Sequence, residues 1–157
     1  MSPEEIANIL ADAPGFWGAT ADNLSVVAHD FSPLRLTDCD LFQEGDEADE
    51  LYLLVEGKIE VHKRGPDGGA HAVAHFEPGV FFGHAWLSPS THRTATARAS
   101  GPVVLLRMSR EDALRWVGSE DMGAASCLRQ ALVIALARQL THATVTTVSL
   151  PADRSNP

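Results

Sequence analysis

One segment of the chain, residues 81–96, combines residue types that could bind an anion. A glycine-led turn and one helical turn run into a short loop, and a single arginine stands just before a predicted strand. Backbone N–H groups at the start of a helical turn, facing a guanidinium, can hold one phosphate group. An arginine before a strand is also compatible with an ordinary surface position. The candidate ligand-binding residues are Phe82, Gly83, His84, Ala85, Trp86, Arg93 and Thr94.

Motifs for catalysis are missing from the sequence. There is no Gly-x-Ser-x-Gly, no Walker sequence, and neither Cys39 nor Cys127 has an evident histidine partner. The acidic run at residues 44–50 fits a solvated turn. The two cysteines fit buried thiols in a reducing compartment. We therefore expect a binding protein, not an enzyme, with no catalytic residue.

The elements that position this segment follow from turn signals and hydrophobic spacing. Short apolar runs at 51–55, 59–62, 72–76, 94–99 and 103–106 alternate with turns rich in Gly, Pro and Asp. This pattern predicts antiparallel strands in a small β-roll or jelly-roll barrel, because a parallel sheet would need a helix between successive strands. The fold class expected is mainly β with flanking helices.

Helices are predicted on both sides of the β region. Ser2, Pro3 and Glu5 form a capping box that starts a short helix, and a second begins near Thr20. Ser109 caps another short helix. A long helix at 121–140 is apolar on most faces and needs cover from the barrel or a partner chain. We expect one domain at 1–143 and a C-terminal tail at 144–157.

Composition limits the partners. The chain has 157 residues, 45% of them hydrophobic, and a net charge of −9, which suits one core and argues against nucleic acid or an anionic membrane as partner. No segment approaches the ~20 apolar residues of a membrane span, and the N-terminus lacks a signal-peptide pattern. We expect a cytoplasmic protein without membrane insertion.

The segment 81–96 resembles the phosphate-binding cassette of cyclic-nucleotide-binding domains: Phe, Gly, Glu, two small or aliphatic residues, a variable loop, then Arg and a strand. A second match lies at 42–61, with its strand, Gly-Asp turn, strand, Gly turn and strand. The likeness covers about residues 5–140. It implies a β-roll with N-terminal helices and a long C-terminal helix, and a phosphate-binding role for Arg93.

This cassette departs from the family pattern twice. His84 stands where the family has the glutamate that accepts a hydrogen bond from the ribose 2′-hydroxyl, and a neutral imidazole could accept one only in one tautomer. Trp86 replaces a small residue, so its indole must turn outward or fill the pocket. Thr94 matches the position where some members contact guanine, although a threonine there also fits ordinary strand propensity.

The leading hypothesis is a stand-alone sensor that binds cyclic AMP or cyclic GMP through Arg93 and the turn at 83–86. It would signal to a separate effector protein by moving the 121–140 helix, through which we expect a homodimer. The first alternative is a degenerate domain that has lost the ligand and serves protein interaction or dimerisation.

A cupin-like metalloprotein ranks third. Five of the seven histidines fall in the β region, yet no His-x-His pair occurs, so the ligand set of the cupins cannot be assembled by spacing. We expect no metal and no cofactor. The histidines in question are His62, His71, His75, His84 and His92.

Overall fold

The computed structural model describes residues 1–87 and 91–148, with side chains as far as Gln139. Helices lie at both ends of a β region, as the sequence predicted. The elements within these residues are α1 (Pro3–Asp12), α2 (Ala21–Ala28), β1 (Ser32–Thr37), β2 (Asp40–Phe42), β3 (Glu50–Arg64), β4 (Ala70–Phe76), β5 (Phe81–Phe82), β6 (Thr96–Ser109), α3 (Arg110–Val117) and α4 (Ala124–Val148).

The short helices begin where their capping residues predicted. Ser2 and Glu5 form the reciprocal capping box of α1, with Pro3 in its first turn. The hydroxyl of Thr20 accepts a hydrogen bond from the backbone of α2, and Ser109 does the same for α3. Each cap satisfies backbone N–H groups that have no partner within their own helix.

All six strands belong to one antiparallel sheet. The hydrogen-bonded order is β1-β6-β3-β4, with β2 paired to β6 and β5 paired to β3. The predicted fold class, mainly β with flanking helices, is confirmed as an antiparallel β-roll. The sheet is not a closed barrel, because no pairing among the described residues joins β4 back to β1.

The turns predicted at residues 56–58 and 101–102 are instead bulges inside long strands. Residues 51–55 and 59–62 are parts of β3, and 94–99 and 103–106 correspond to β6, which begins at Thr96. The pairing of β3 with β6 shifts register on either side of Glu56, and Gly57 has a φ of +88°. The turn predictions were wrong because a glycine with positive φ also fits a β-bulge, which bends a strand without ending it.

The sheet separates two hydrophobic clusters, because successive side chains of a strand point to opposite faces. Tyr52 and Leu54 face the interior of the roll, whereas Leu51 and Leu53 face the helices. We call these the interior cluster and the helical cluster. The buried members of the interior cluster are Tyr52, Leu54, Ile59, Phe82, Ala97, Ala99, Val103 and Leu105.

Helix α4 packs against α2, α3 and β5, so the N-terminal helices and the sheet supply the cover that its apolar faces need. Val133 and Leu136 remain exposed. The helix ends at Val148, beyond the predicted end at residue 140, and it crosses the predicted domain boundary after residue 143. That division stays a prediction, and residues 149–157 of the predicted tail lie outside the described residues. No described helix combines the length and hydropathy needed to cross a bilayer.

Gly15 fixes how closely the N-terminal segment approaches α4. A Cβ at Gly15 would lie 2.4 Å from the Cα of Ala131, and its φ is +100°. Gly18 has a similar φ of +84° but no atom within 4 Å of such a Cβ. The two glycines therefore share the backbone conformation and differ in the steric contact.

We expect Gly18→Ala to lower the free energy of unfolding by roughly 1–2 kcal/mol, the cost of a left-handed conformation. Gly15→Ala should cost roughly 1–3 kcal/mol more, because α4 must also be pushed away. Urea unfolding followed by circular dichroism measures both. Equal losses for the two variants would show that α4 does not pack against Gly15.

Candidate functional site

The turn after β5 is built around Gly83. Its φ is +83°, and a Cβ there would lie 2.8 Å from the Cδ2 of Tyr52 and 3.2 Å from the carbonyl oxygen of Glu50. Any other residue would therefore meet both a strained backbone and a neighbouring strand. After Gly83 the chain forms a 3-10 turn at Ala85–Leu87. Glycine thus brings the backbone of this turn close against β3.

The main chain of Arg93 is held by the turn between β2 and β3. The N–H of Arg93 donates to the carbonyl of Asp46 at 2.7 Å, and the N–H of Gly45 donates to the carbonyl of Arg93 at 2.9 Å. The acidic side chains of this turn are exposed, as expected for a solvated run. The turn also has a structural role, because its backbone places Arg93.

The guanidinium of Arg93 lies in a cage of backbone carbonyls and aromatic rings. Its Nη1 donates to the carbonyl of Gly83 at 2.7 Å, and its Nη2 donates to the carbonyl of Glu50 at 3.0 Å. Asp49 Oδ1 lies 3.5 Å from Nη2. The guanidinium carbon is 4.2 Å from the ring centroid of Phe42 and 5.5 Å from that of Tyr52, within the range of cation–π contacts.

This guanidinium is buried and retains unused donors. The side chain of Arg93 is only 1% exposed. Its Nε has no hydrogen-bond partner among the described residues, and the two carbonyls use only two of its five N–H groups. Burial lowers the pKa of Arg93, and nearby acidic groups oppose that change. The arrangement can bind an anion in the planar, two-point manner typical of arginine.

His84 connects the turn to α4. Its Nε2 lies 2.7 Å from the Oε1 of Gln139. Its Nδ1 is buried and has no hydrogen-bond partner among the described residues. Burial lowers the pKa of His84, and the hydrogen bond with Gln139 acts in the opposite direction. The neutral imidazole is therefore favoured in the folded protein.

The other predicted site residues lie on different sides of the sheet. Phe82 is in the interior cluster, where its ring centroid is 5.4 Å from that of Tyr52. Trp86 is buried in the helical cluster, so its indole does not belong to the interior cluster. Thr94 is exposed. Of the predicted set, Gly83 and Arg93 are in direct hydrogen-bond contact.

Four residues of this site were not singled out from the sequence. Phe42, Asp49 and Tyr52 lie within the second stretch that resembles the family. Phe42 and Tyr52 are aromatic residues on either side of a turn, and that spacing could have pointed to this part of the site. Gln139 carried no signal, because it is 55 residues from His84 and reaches it only through the packing of α4.

The described residues form no metal-binding cluster, and two surface cavities lie away from the predicted site residues. Among the residues that the structure describes, no group of three or more His, Cys, Asp or Glu side chains is placed to hold a metal ion. The cavities have volumes of about 340 and 350 Å³, and one lies beside α1 and β1 while the other is lined by residues of β2, β3, β4 and β6. Neither is lined by a predicted site residue.

Comparison with known proteins agrees with this geometry. The family model described as "Cyclic nucleotide-binding domain" matches residues 37–120. The chain is 26% identical over 122 residues to a CRP-like cAMP-activated global transcriptional regulator of Mycobacterium tuberculosis, covering 77% of this chain and 54% of that protein. It is 31% identical over 103 residues to the cyclic AMP receptor protein of Thermus thermophilus, covering 66% and 45%.

A solved structure shares the whole fold. A cyclic nucleotide-binding domain from Methylobacillus flagellatus superimposes with a TM-score of 0.79 at 21% identity, covering 96% of this chain and 86% of that one. The unclosed roll with helices at both ends is thus the fold of that domain. The chain belongs to the cyclic nucleotide-binding domain family. It spans about half the length of the two curated relatives described above.

The lowered pKa of His84 predicts a pH-dependent stability. An unfolded histidine binds its proton near pH ~6.5, more readily than His84 does in the fold, so protonation favours the unfolded state. The contribution of His84 is therefore fully present above that pH and is lost as the pH falls below it, through the lower pKa of His84 in the folded state. Unfolding free energies of the native protein and His84→Gln, measured from about pH 7.5 to about pH 5, should diverge, with the native protein losing more. Parallel curves would contradict the burial of a neutral imidazole.

Proposed function

We propose that this domain binds a cyclic mononucleotide, cyclic AMP or cyclic GMP, through Arg93 and the turn at residues 83–86. The observation that carries the proposal is the buried guanidinium of Arg93 with an unpartnered Nε. The exposed carboxylate of Asp49, 3.5 Å from Nη2, compensates this buried charge only in part, and Nε keeps a donor without an acceptor. The phosphate of a cyclic nucleotide would supply both the charge and the acceptors.

The names of the relatives support the ligand class. One is described as cAMP-activated and another as a cyclic AMP receptor. Phe82, Gly83, Ala85 and Trp86 lie in the segment that would surround the phosphate. Thr94 is exposed, so a ligand could reach its hydroxyl. Comparing the affinities for cyclic AMP and cyclic GMP measures the choice between adenine and guanine bases.

The proposed output is a change in the position of α4. Helix α4 contacts β5, the strand that leads into the turn, and Gln139 of α4 contacts His84 within it. A ligand shifts such an equilibrium only if it binds one helix position more tightly than the other. We propose a regulatory, non-catalytic domain in the cytoplasm whose signal passes to an effector protein.

Protein interaction without a ligand is the second candidate function. The observation that favours it is that Arg93 already donates to the carbonyls of Gly83 and Glu50, and so joins the turn to β3 by itself. In that case the arginine would be a structural residue. The exposed Val133 and Leu136 on α4 would then form the surface that contacts another protein.

Cyclic AMP and cyclic GMP should each be titrated while the melting temperature is followed. At about 100 times the dissociation constant, a ligand should stabilise the fold by ~2.7 kcal/mol. Arg93→Lys keeps the charge but loses the planar fork, and we expect it to weaken binding by at least about tenfold, because charge-assisted hydrogen bonds contribute roughly 1.5–3 kcal/mol.

Arg35→Lys is the matched control, since Arg35 is exposed on β1 and lies outside the site. It should bind as the native protein does. No stabilisation by either nucleotide, or an equal stabilisation of Arg93→Lys, would favour the ligand-free alternative. Circular dichroism of Arg93→Lys before titration establishes that the variant is folded.

We also propose a homodimer through α4, because Val133 is 62% exposed there despite its apolar side chain. Sedimentation velocity should give about twice the chain mass of 16.8 kDa. Val133→Glu should give the monomer at the same concentration, because a charge at an apolar interface is costly. Val73→Glu, at a residue 50% exposed on β4, is the control and should remain dimeric. A native monomer would exclude this interface.

A further inference from the structure

A polar cavity of about 350 Å³ lies on the face of the sheet that is turned away from the interior cluster. Thr96 and Arg98 line it, and they alternate along β6 with Ala97 and Ala99, which belong to the interior cluster. Successive side chains of a strand point to opposite faces, so the cavity opens on the outer face of the roll. Its volume is within the range of small-molecule pockets.

Strand pairing brings the side chains of this outer cavity together. His62 of β3 is paired with Thr96 of β6, and Asp40 of β2 is paired with Arg98 of β6. Arg64 follows His62 by two residues, so it is on the same face of β3. The cavity therefore collects hydrogen-bonding and charged groups from three neighbouring strands.

The two carboxylates of the outer cavity already have partners within the protein. Asp40 accepts a hydrogen bond from Arg98 at 2.9 Å and another from the side-chain amide of Gln43 at 3.1 Å. Glu44 accepts the backbone N–H of Arg64 at 2.9 Å. Each carboxylate has about four lone-pair sites, so both retain acceptors for further hydroxyl groups.

The cations of the outer cavity are less completely paired. The side chains of Lys63 and Arg64 are exposed and form no ion pair or hydrogen bond with any residue that the structure describes. The Nε2 of His62 is buried without a hydrogen-bond partner among those residues, and it lies 3.4 Å from the Oε2 of Glu60. These groups offer donors to a ligand.

The charge of the outer cavity also differs from that of the whole chain. Three lysine and arginine side chains and two carboxylates line it, so its formal charge is +1 with the imidazole neutral. The chain as a whole has a net charge of −9. A local excess of positive charge attracts anions, and the spare carboxylate lone pairs favour an anion that also carries hydroxyl groups.

We propose that the outer cavity is a second binding site, which takes a small phosphate monoester that carries hydroxyl groups. The phosphate would accept hydrogen bonds from Lys63, Arg64 and the hydroxyl of Thr96. The hydroxyl groups of the same molecule would donate to Asp40 and Glu44. The inference goes beyond the proposed function, because none of these residues belongs to the proposed nucleotide site.

The turn at residues 43–46 connects this second site to Arg93. The backbone N–H of Glu44 donates to the Oγ1 of Thr96 at 3.0 Å, and both residues line the outer cavity. The backbone of the same turn holds the main chain of Arg93 through two hydrogen bonds. We therefore expect a ligand in the outer cavity to change the environment of Arg93, and the effect between the two sites to be reciprocal.

The site is tested by adding glycerol phosphate to the ¹⁵N-labelled native protein at constant ionic strength. Two-dimensional ¹H–¹⁵N spectra should show saturable shifts of the backbone amides at residues 43–46, 62–64, 93 and 96. Glycerol alone should cause no shift. Inorganic phosphate should bind at least about threefold more weakly, because it lacks the hydrogen bonds of the hydroxyl groups.

A double variant, Lys63→Gln with Arg64→Gln, should weaken the binding of glycerol phosphate by about tenfold, since each exposed charge contact contributes a few-fold. Arg35→Gln with Arg138→Gln is the matched control, because it removes the same charge at exposed positions outside the cavity. The control should bind as the native protein does. An equal loss in both double variants would show attraction by net charge alone and would overturn the site.

Arg93→Lys separates this site from the proposed function. In that variant the shifts at residues 62–64 should persist, because Arg93 does not line the outer cavity. If they disappear, glycerol phosphate binds at Arg93 and the second site does not exist. Shifts that do not saturate would also overturn it. Equal affinity for inorganic phosphate would overturn the role of the hydroxyl groups, and an unshifted amide at residue 93 would overturn the connection between the sites. Failure of the native protein to bind cyclic nucleotides would leave this inference standing.

Discussion

The structure depends most on a positive charge that is placed inside the fold. The guanidinium of Arg93 is almost fully buried, and a buried ion is tolerated only when neighbouring groups compensate for its lost hydration. Here the compensation comes from the carbonyls of Gly83 and Glu50 and from two aromatic rings. These groups belong to separate parts of the chain, so the arginine also joins the turn after β5 to β3. A buried guanidinium that retains an unused donor is suited to bind an anion.

The site lies where the two hydrophobic clusters meet. Phe82 points into the interior cluster, and Trp86, a few residues later, packs into the helical cluster. The turn between them is therefore in contact with both sides of the sheet. Because packed clusters deform little, a ligand that moved this turn would alter its contacts with α4 before those within the roll. This is the reason for proposing that binding is signalled through α4 and not through the sheet.

His84 is an uncharged residue at the position where the family pattern has a glutamate. A carboxylate accepts hydrogen bonds by virtue of its charge, whereas an imidazole needs a neighbour to decide which nitrogen accepts. Gln139 of α4 lies 2.7 Å from the Nε2 of His84. This contact joins the turn to α4. Burial, which favours the neutral ring, supports the same arrangement.

The sequence by itself located the short helices, the β region and the turn of the candidate site. Capping residues located α1, α2 and α3, and the spacing of Gly83 and Arg93 identified the turn and its arginine, because these signals act within a few residues. Tertiary structure decided the rest. Gly57 became a bulge and not a turn only because β6 pairs across it, Trp86 took the helical side because helices cover that face, and Gln139 met His84 across 55 residues. Contacts of that kind depend on register and packing between distant segments, which local sequence patterns do not encode.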